Sequence, residues 1–362
     1  MVSARWGGDG PASYRRLPVT MQDEARAAAS LPPEDEPVPG APPVVLVVVS
    51  HDSGPWFEQA LRSIGSSDYP NLTVVVVDAA SANDPAPLVQ AVLPRAVVRR
   101  LDEDPGYGAS ANHVLQVVEG AAYFAFCHDD VLLEPSTIRN LVEEAYRSNA
   151  GVVGPKIVAW GRPDRLLDVG LAADKTGVPA TLVERGELDQ EQHDGVRDVF
   201  AVPGACFLVR ADLFEAIGGF DPGITRLGED VDLCWRVQVA GARVMVVPAA
   251  RVQHREELPA RRPTSEQRRL AARHRLRSVL TCYGPFHLVR VLPQVAVLTL
   301  LESVAATNRR RCRTSGSRRR FHTHGSHAPG TSRNRPRNRA ATDSSRVRTA
   351  TWGRTRTRWN GP

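Results

Sequence analysis

Paired cysteines and an apolar leader are both missing from this sequence of 362 residues. The five cysteines are an odd number without a C-x-x-C spacing, which argues against both a disulfide framework and a zinc ribbon. The N-terminus has no apolar core of a signal peptide, and prolines crowd positions 31–43. These absences predict a protein of the reducing cytoplasm whose residues 1–42 are a disordered, proline-rich segment.

Lysine is also nearly absent, because Lys156 and Lys175 are the only two among the 46 lysine and arginine residues. The formal net charge of +6 is unevenly distributed: residues 305–362 hold 16 Arg and one acid, which leaves −9 for the rest. The folded part is therefore predicted to be acidic. The basic charge of the whole chain is not evidence for a nucleic-acid partner.

Residues 305–362 contain no Leu, no Ile and a single Val, so they cannot bury enough apolar surface to fold. The simpler interpretation is a disordered, arginine-rich tail. A second interpretation is a frameshifted reading of a longer gene, since GC-rich DNA read out of frame yields Arg, Pro, Ser, Thr and Gly. An uninterrupted frame at codons 295–315 would refute it.

Unbroken aliphatic runs alternate with helical patterns through the first half of the chain. Residues 44–49 and 72–77 have the pattern of strands buried on both faces, and a helix is predicted between them over 55–64. A weaker strand near 96–101, a helix over 109–118 and a strand over 122–127 continue the alternation. The sequence therefore predicts an α/β fold with a Rossmann-like, mostly parallel open sheet flanked by helices.

The second half is less regular. The pattern predicts a helix at 136–147, strands at 152–158, 198–202, 205–209 and 242–247, and helices at 211–216 and 230–240. Residues 161–197 are polar and weakly periodic, which indicates a variable excursion over the sheet. A basic amphipathic helix is predicted at 264–283. The apolar stretch that follows to 304 is interrupted, so it is either an interfacial helix or the start of a membrane segment.

Polar residues follow three of the predicted strands, where ligands of open α/β sheets bind. They are Ser50-His51, Asp78 and His128-Asp129-Asp130. Paired carboxylates at such a position suit Mg²⁺ or Mn²⁺ together with substrate phosphates. A helix cap or a surface turn is the simpler interpretation for an aspartate pair. Asp78 is either a turn residue or a hydrogen-bond acceptor for a nucleotide's base or ribose.

Two further motifs carry candidate chemistry. Gly106 and Gly108 precede Asn112 in a loop that opens a helix, where backbone amides can approach a diphosphate, although most such loops bind nothing. Residues 228–232 place carboxylates at a helix start, where they either interact with the helix dipole or act as a general base. His254, after a strand, is either structural or a further metal ligand.

The order of these motifs, with Pro203-Gly204-Ala205-Cys206, Gly219-Phe220-Asp221 and residues 229–236, resembles the family 2 glycosyltransferases of the GT-A fold. The resemblance covers residues 43–256. It implies an inverting enzyme that moves a sugar from a nucleotide-diphosphate sugar to a polysaccharide or lipid-linked acceptor. No Q-x-x-R-W signature of processive members is present, so a single sugar addition is predicted.

The resemblance also assigns roles to residues. It implies metal ligation by Asp130 and His254, contact between Asp78 and the nucleotide base, and a base at Asp230 beside Glu229. The remaining nucleotide-sugar contacts implied are Ser50, His51, Gly106, Gly108, Asn112, His128 and Asp129. The acceptor side is assigned to Gly204, Asp232 and Trp235. The first position of the metal motif is His128 in place of the family's Asp.

The chain is thereby divided at 42, 256 and 304 into an N-terminal segment, a catalytic domain, a helical segment with a membrane surface as its predicted partner, and the tail. The predicted location is the cytoplasm, on the inner face of the cell membrane.

Two alternative functions stay open. A nucleotidyltransferase also uses such a sheet, but it usually has a glycine-rich basic motif after its first strand, where this chain has Ser50-His51-Asp52-Ser53. A polyanion binder would act through the tail, although no specific nucleic acid is predicted as a partner.

Overall fold

The computed structural model describes residues 40–256 and 264–297. The predictions made for 1–39, 257–263 and 298–362 lie outside these ranges. The first half of the described chain alternates strands with helices, as the sequence predicts. Its elements are β1 (Val44–Ser50), α1 (Phe57–Gly65), β2 (Leu72–Ala79), α2 (Ala86–Val92), β3 (Val97–Leu101), α3 (Tyr107–Ala111), α4 (Val114–Val117), β4 (Tyr123–His128) and β5 (Val131–Leu133).

The second half carries further strands and the longest helices. Its elements are α5 (Thr137–Ser148), β6 (Val152–Ala159), β7 (Arg162–Asp168), β8 (Leu171–Ala173), β9 (Pro179–Thr181), β10 (Arg197–Asp198), β11 (Cys206–Arg210), α6 (Ala211–Ala216), α7 (Glu229–Val239), β12 (Val244–His254) and α8 (Thr264–Cys282). A further helix, α9, spans 285–297. No helix within the described ranges is long and apolar enough to cross a membrane.

Ten of the strands form one large sheet in the order β10-β12-β6-β11-β4-β1-β2-β3, with β5 added to β12 and β7 to β6. Strands β8 and β9 form a separate two-stranded sheet. The strands β4, β1, β2 and β3 run parallel, which confirms the predicted open α/β sheet. Strand β11 runs antiparallel between β4 and β6. It separates the first parallel group from a second, formed by β6 and β12.

Apolar residues of β1 enter two separate cores, because successive side chains of a strand point to opposite faces. Val44, Leu46 and Val48 pack into one cluster, with helices α1 and α5. Val45, Val47 and Val49 pack into the other, with Phe214 and Phe220. Burial on both faces explains why this strand reads as an unbroken aliphatic run.

Several element boundaries differ from the prediction. The helix predicted over 109–118 is broken into α3 and α4, and α2 was not predicted. The strand predicted to end at 247 continues to His254 after an irregularity between Val247 and Arg251. His254 is therefore the last residue of a paired strand, in contrast to the predicted position just beyond one.

The predicted excursion at 161–197 contains the ordered strands β7, β8 and β9 and the start of β10. A cluster of charged residues, which the sequence pattern did not predict, attaches the later part of this excursion to the sheet. Lys156 is fully buried, and its ammonium group donates hydrogen bonds to both carboxylate oxygens of Asp189, each 3.0 Å away. It also pairs with Asp194. A buried charge needs such partners, so Lys156 of β6 holds the excursion against the sheet.

Candidate active site

Three side chains come together in a group that could hold a metal ion. They are His128, Asp130 and His254, and their ligand atoms all lie within 4.8 Å of one another. His254 Nε2 is 3.2 Å from Asp130 Oδ1, and His128 Nδ1 is 3.9 Å from the same oxygen. Two imidazole nitrogens and one carboxylate oxygen form a donor set that suits Mn²⁺ better than Mg²⁺, which prefers oxygen ligands.

Strand pairing creates this group from distant parts of the sequence. His128 ends β4, and Asp130 directly precedes β5. The antiparallel pairing of β5 with β12 places His254 opposite Val131. A backbone hydrogen bond of 3.0 Å from the Arg255 N–H to the Asp130 carbonyl extends the same ladder. Burial, followed by the charge of His254, lowers the pKa of His128 to about 4 against the opposing effect of Asp130, so this imidazole is neutral at pH 7.

The predicted acid pair lies at the first turn of α7. Asp230 accepts hydrogen bonds from the N–H groups of Gly204, at 2.7 Å, and Val231, at 2.8 Å. Glu229 is buried, and its Oε2 has no hydrogen-bond partner among the described residues. Burial, followed by the charge of Asp230, raises the pKa of Glu229 to about 8. Burial also raises the pKa of Asp230, but its two N–H donors oppose that rise because they favour the carboxylate.

Short contacts join the acid pair to the metal-binding group. The His128 N–H donates to the carbonyl of Ala205 at 3.0 Å, and the preceding residue, Gly204, donates to Asp230. The Tyr107 ring stands edge-on to the His128 ring with centroids 4.9 Å apart. The charges of Glu229 and Asp230 both act on the Tyr107 hydroxyl and raise its pKa, after the larger effect of burial. The two groups therefore belong to one site.

Asp78 lies at the end of β2 and is fully buried. Its Oδ1 accepts hydrogen bonds from the backbone N–H and the hydroxyl of Ser81. Arg100 Nη1 is 3.1 Å from Oδ2 but in no hydrogen-bond geometry, so Oδ2 accepts no hydrogen bond among the described residues. A buried carboxylate oxygen in that state can accept a hydrogen bond from a ligand.

The predicted donor-side residues of β1 and β4 lie along the same edge of the sheet. Parallel pairing sets Ser50 opposite Asp78 and Val49 opposite His128. Ser50 bonds to Ser53, whose hydroxyl donates to Asp129. His51 Nδ1 is 2.6 Å from the carbonyl of Ala79.

The glycine loop packs against the segment that leads to α7. Gly106 has a φ of +98°, and a Cβ there would lie 2.2 Å from the carbonyl oxygen of Thr225. A Cβ on Gly108 would lie 2.8 Å from Phe220 Cβ. The side-chain amide of Asn112 makes two hydrogen bonds of 2.8 Å to the backbone of Phe220. Asn112 Nδ2 donates to the Phe220 carbonyl, and the Phe220 N–H donates to Asn112 Oδ1. Asn112 thus holds the turn before α7.

Two of the residues assigned to the acceptor side contact α8 and α9. Asp232 accepts hydrogen bonds from Arg236, at 2.7 Å, and from the hydroxyl of Ser278 in α8, at 2.9 Å. Trp235 packs in a cluster with Val279, Val291 and Val295. Gly204, the third, contacts Asp230 directly.

Asp168 is a buried carboxylate that sequence reasoning missed. It ends β7 and accepts a hydrogen bond of 2.7 Å from the Gly170 N–H. Burial raises the pKa of Asp168 to about 7 against the effect of that bond, and the charge of Asp230 acts in the same direction as burial. The charges of Asp168 and Asp230 therefore interact. Like Asp78, Asp168 follows two apolar residues at the end of a strand. This pattern could have identified it, but the sequence of residues 161–197 is otherwise too polar to indicate a strand.

The family of the chain follows from comparison with known proteins. The sequence pattern described as "Glycosyltransferase like family 2" matches residues 42–281. The chain belongs to this family. The prediction made from seven short motifs is confirmed, and with it the enzyme class.

Several relatives share this region. RfbC, an O-antigen biosynthesis protein of Myxococcus xanthus, is 28% identical over 234 residues, which cover 62% of this chain but only 18% of RfbC. The N-acetylglucosaminyl-diphospho-decaprenol L-rhamnosyltransferase of Mycobacterium tuberculosis is 28% identical over 254 residues, which cover 64% of this chain and 81% of the relative.

A solved structure shares the fold. The crystal structure of residues 1–349 of TarS from S. aureus, in complex with UDP-GlcNAc, matches with a TM-score of 0.51 and 16% sequence identity. The match covers 70% of this chain and 71% of that one. The predicted GT-A type of fold is thereby confirmed.

Proposed function

We propose that this family 2 glycosyltransferase moves one sugar from a nucleotide-diphosphate sugar to an acceptor hydroxyl, with inversion at the anomeric carbon. The observation that supports this most is the junction of the metal-binding group and the acid pair through Gly204 and Ala205. One group is suited to hold the diphosphate end of a donor. The other is suited to take a proton from an acceptor.

On the donor side, Asp130, His128 and His254 would hold a divalent cation, with Mn²⁺ favoured by the two imidazoles. Such an ion neutralises the charge that develops on a leaving nucleoside diphosphate. Oδ2 of Asp78, which accepts no hydrogen bond among the described residues although Arg100 lies beside it, accepts one from the nucleotide base. This assignment makes His128 a third metal ligand, in place of the nucleotide-sugar contact predicted for it.

On the acceptor side, Asp230 is the general base. Its carboxylate takes the proton of the acceptor hydroxyl while that oxygen forms a bond to the anomeric carbon. The bond from the anomeric carbon to the diphosphate oxygen breaks, and its electron pair leaves with the nucleoside diphosphate. Glu229 keeps a proton at neutral pH because its pKa lies near 8, so the single negative charge of the pair stays on Asp230.

The acceptor class is proposed from the relatives. One of them is named as an O-antigen biosynthesis protein and another as acting on a diphospho-decaprenol, which is a lipid-linked sugar. A polysaccharide or lipid-linked acceptor in cell-envelope synthesis is therefore proposed here as well. No observation favours a nucleotidyltransferase, and the polyanion-binding alternative rests on residues outside the described ranges.

The test is Asp230→Asn, which keeps the size of the side chain and removes the base. A panel of nucleotide-diphosphate sugars is first screened for thermal stabilisation in the presence of Mn²⁺. With the donor so found, the variant should lose about 100-fold or more of its nucleoside diphosphate release in the presence of acceptor. Its affinity for the donor should stay within a few-fold of the parent, because the base contacts the acceptor.

Asp212→Asn is the matched control, since Asp212 is an exposed carboxylate that pairs with Arg210 outside the site. It should leave both rate and affinity unchanged. Near-normal turnover in Asp230→Asn would refute the assigned base. A panel in which no nucleotide sugar stabilises the parent protein would count against the function as a whole.

A further inference from the structure

Helix α9, residues 285–297, has apolar residues on two opposite faces. Leu288, Val291 and Val295 form the first face and pack in the cluster with Trp235 of α7. Val291 and Val295 are only 6% and 4% exposed. This face attaches the helix to the catalytic domain.

The second apolar face is exposed. Phe286, Val289 and Val297 are 79%, 77% and 55% exposed, and Pro293 between them is exposed too. Spacings of three, four and four residues place these side chains on one side of a helix. Single exposed apolar residues are ordinary, but a continuous stripe on successive turns indicates a surface that contacts another apolar phase.

The remaining side of α9 is polar and basic. His287, Arg290 and Gln294 follow one another at helical spacing, and all three are exposed. Residues 264–297 contain six arginines and a single acid, Glu266. Arg268, Arg269 and Arg273 of α8 are exposed as well. A helix with an apolar stripe beside a basic edge is typical of one that lies in the interface of an anionic lipid bilayer.

We propose that α9 docks the protein on an anionic membrane surface. Phe286, Val289 and Val297 enter the boundary between headgroups and acyl chains, and Arg290 contacts lipid phosphates. Arg290 and His287 lie beside the apolar stripe and keep this part of the helix at the level of the headgroups, so it lies along the surface. A second copy of the chain is disfavoured as the occupant, because pairing two such faces would bring the Arg290 side chains of both copies beside the contact without an acidic partner on α9.

The docked helix also contacts the helix that carries the acid pair. Trp235 packs against α9, and it belongs to α7, whose first residues are Glu229 and Asp230. A lipid-linked acceptor would then be presented near the base, and this consequence rests on the proposed function. The membrane contact itself is independent of that function, since vesicle binding is measured without a sugar donor.

The test uses the full chain and flotation with vesicles of phosphatidylglycerol and phosphatidylcholine. The arginine-rich residues 305–362 also attract anionic lipid, so binding is measured at about 0.5 M NaCl, where the Debye length is roughly 4 Å. The parent protein should still float. The double variant Phe286→Ser with Val289→Ser should lose at least about tenfold in partition coefficient, because two apolar side chains no longer leave water.

Tyr146→Ser is the matched control, since Tyr146 of α5 is also 79% exposed. It should bind vesicles like the parent. All three proteins should melt at the same temperature, because the substituted side chains are exposed. Failure of the parent to float at this salt concentration, or equal flotation of the double variant, would overturn the proposal. A parent dimer that the double variant dissociates in sedimentation equilibrium would assign the face to a second copy instead.

Discussion

Glu229 and Asp230 are adjacent in the sequence, yet their carboxylates have different surroundings. Asp230 receives two backbone N–H donors, whereas Oε2 of Glu229 receives no hydrogen bond among the described residues. Hydrogen-bond donors favour the ionised form of Asp230, whereas burial of Glu229 outweighs the backbone hydrogen bonds that its carboxyl group receives and favours the protonated form. The fold thereby separates a charged base from a neutral neighbour at the start of one helix.

The raised pKa of Glu229 has a consequence for stability. In the unfolded chain this group ionises near 4.5, but in the folded protein it keeps its proton to about 8. The folded state binds more protons between these values, so the free energy of unfolding falls as pH rises through them. Glu229→Gln cannot ionise. The parent protein should lose on the order of 1–3 kcal/mol of unfolding free energy between pH 5 and pH 8, and the variant should not show this loss. Urea denaturation at each pH measures the difference.

Asp168→Asn separates this effect from that of the other buried acid. The pKa of Asp168 is raised to about 7, so this group loses most of its proton by pH 8, about one pH unit before Glu229 does. Between pH 7 and pH 8 Glu229→Gln should therefore flatten the pH dependence more than Asp168→Asn does. A parent protein whose stability does not fall between pH 7 and pH 8 would contradict the raised pKa of Glu229.

At the scale of elements, the site depends on how α3 meets the segment before α7. The Tyr107 N–H donates to the Thr225 carbonyl at 2.9 Å, and the positive φ of Gly106 permits this approach. Asn112 fixes the adjacent turn at Phe220. The glycine loop therefore positions the base-bearing helix, whether or not it also approaches a diphosphate.

Gly106→Ala tests this contact. The added Cβ would meet a backbone oxygen at 2.2 Å, so the loop or the 225–228 segment must move. Gly120→Ala is its control, because Gly120 also has a positive φ, +77°, but nothing within 4 Å of the new Cβ. Urea denaturation should show a loss of about 1 kcal/mol for Gly120→Ala and at least about 2–3 kcal/mol for Gly106→Ala. Equal losses would mean that the contact with Thr225 is dispensable.

At the scale of the whole molecule, the metal-binding group joins the two parallel parts of the sheet. His128 comes from β4 in the first part, and His254 from β12 in the second. An ion bound there would stabilise the folded state only. At a hundredfold excess over its Kd, Mn²⁺ should add about 2.7 kcal/mol, which raises the melting temperature by several degrees.

His254→Ala should abolish most of this stabilisation, and His193→Ala should retain it, since His193 pairs with Glu187 outside the site. Mg²⁺ should stabilise less than Mn²⁺ because two of the three donors are imidazoles. The measurement is a thermal denaturation series in each metal ion. An equal response of the His254 and His193 variants would contradict the assigned ligands.

Sequence reasoning was most successful where local pattern and tertiary environment agree. Strands β1 and β2 are buried on both faces, so their aliphatic runs identified them. Ser50, Asp78 and His128 could be placed at one edge of the sheet because parallel strands bring their carboxyl ends together. The order of short motifs then predicted the family, which is confirmed.

The sequence by itself thus determined the family, the open α/β sheet and the candidate residues at its edge, because each depends on local pattern or motif order. Only the tertiary structure added His128 to Asp130 and His254 as a third possible ligand, since the pairing of β5 with β12 brings His254 to the end of β4. It also revealed buried Asp168, and it showed that Asp232 and Trp235 contact α8 and α9. Burial and long-range pairing decide these contacts, and neither is encoded in the neighbours of a residue along the sequence.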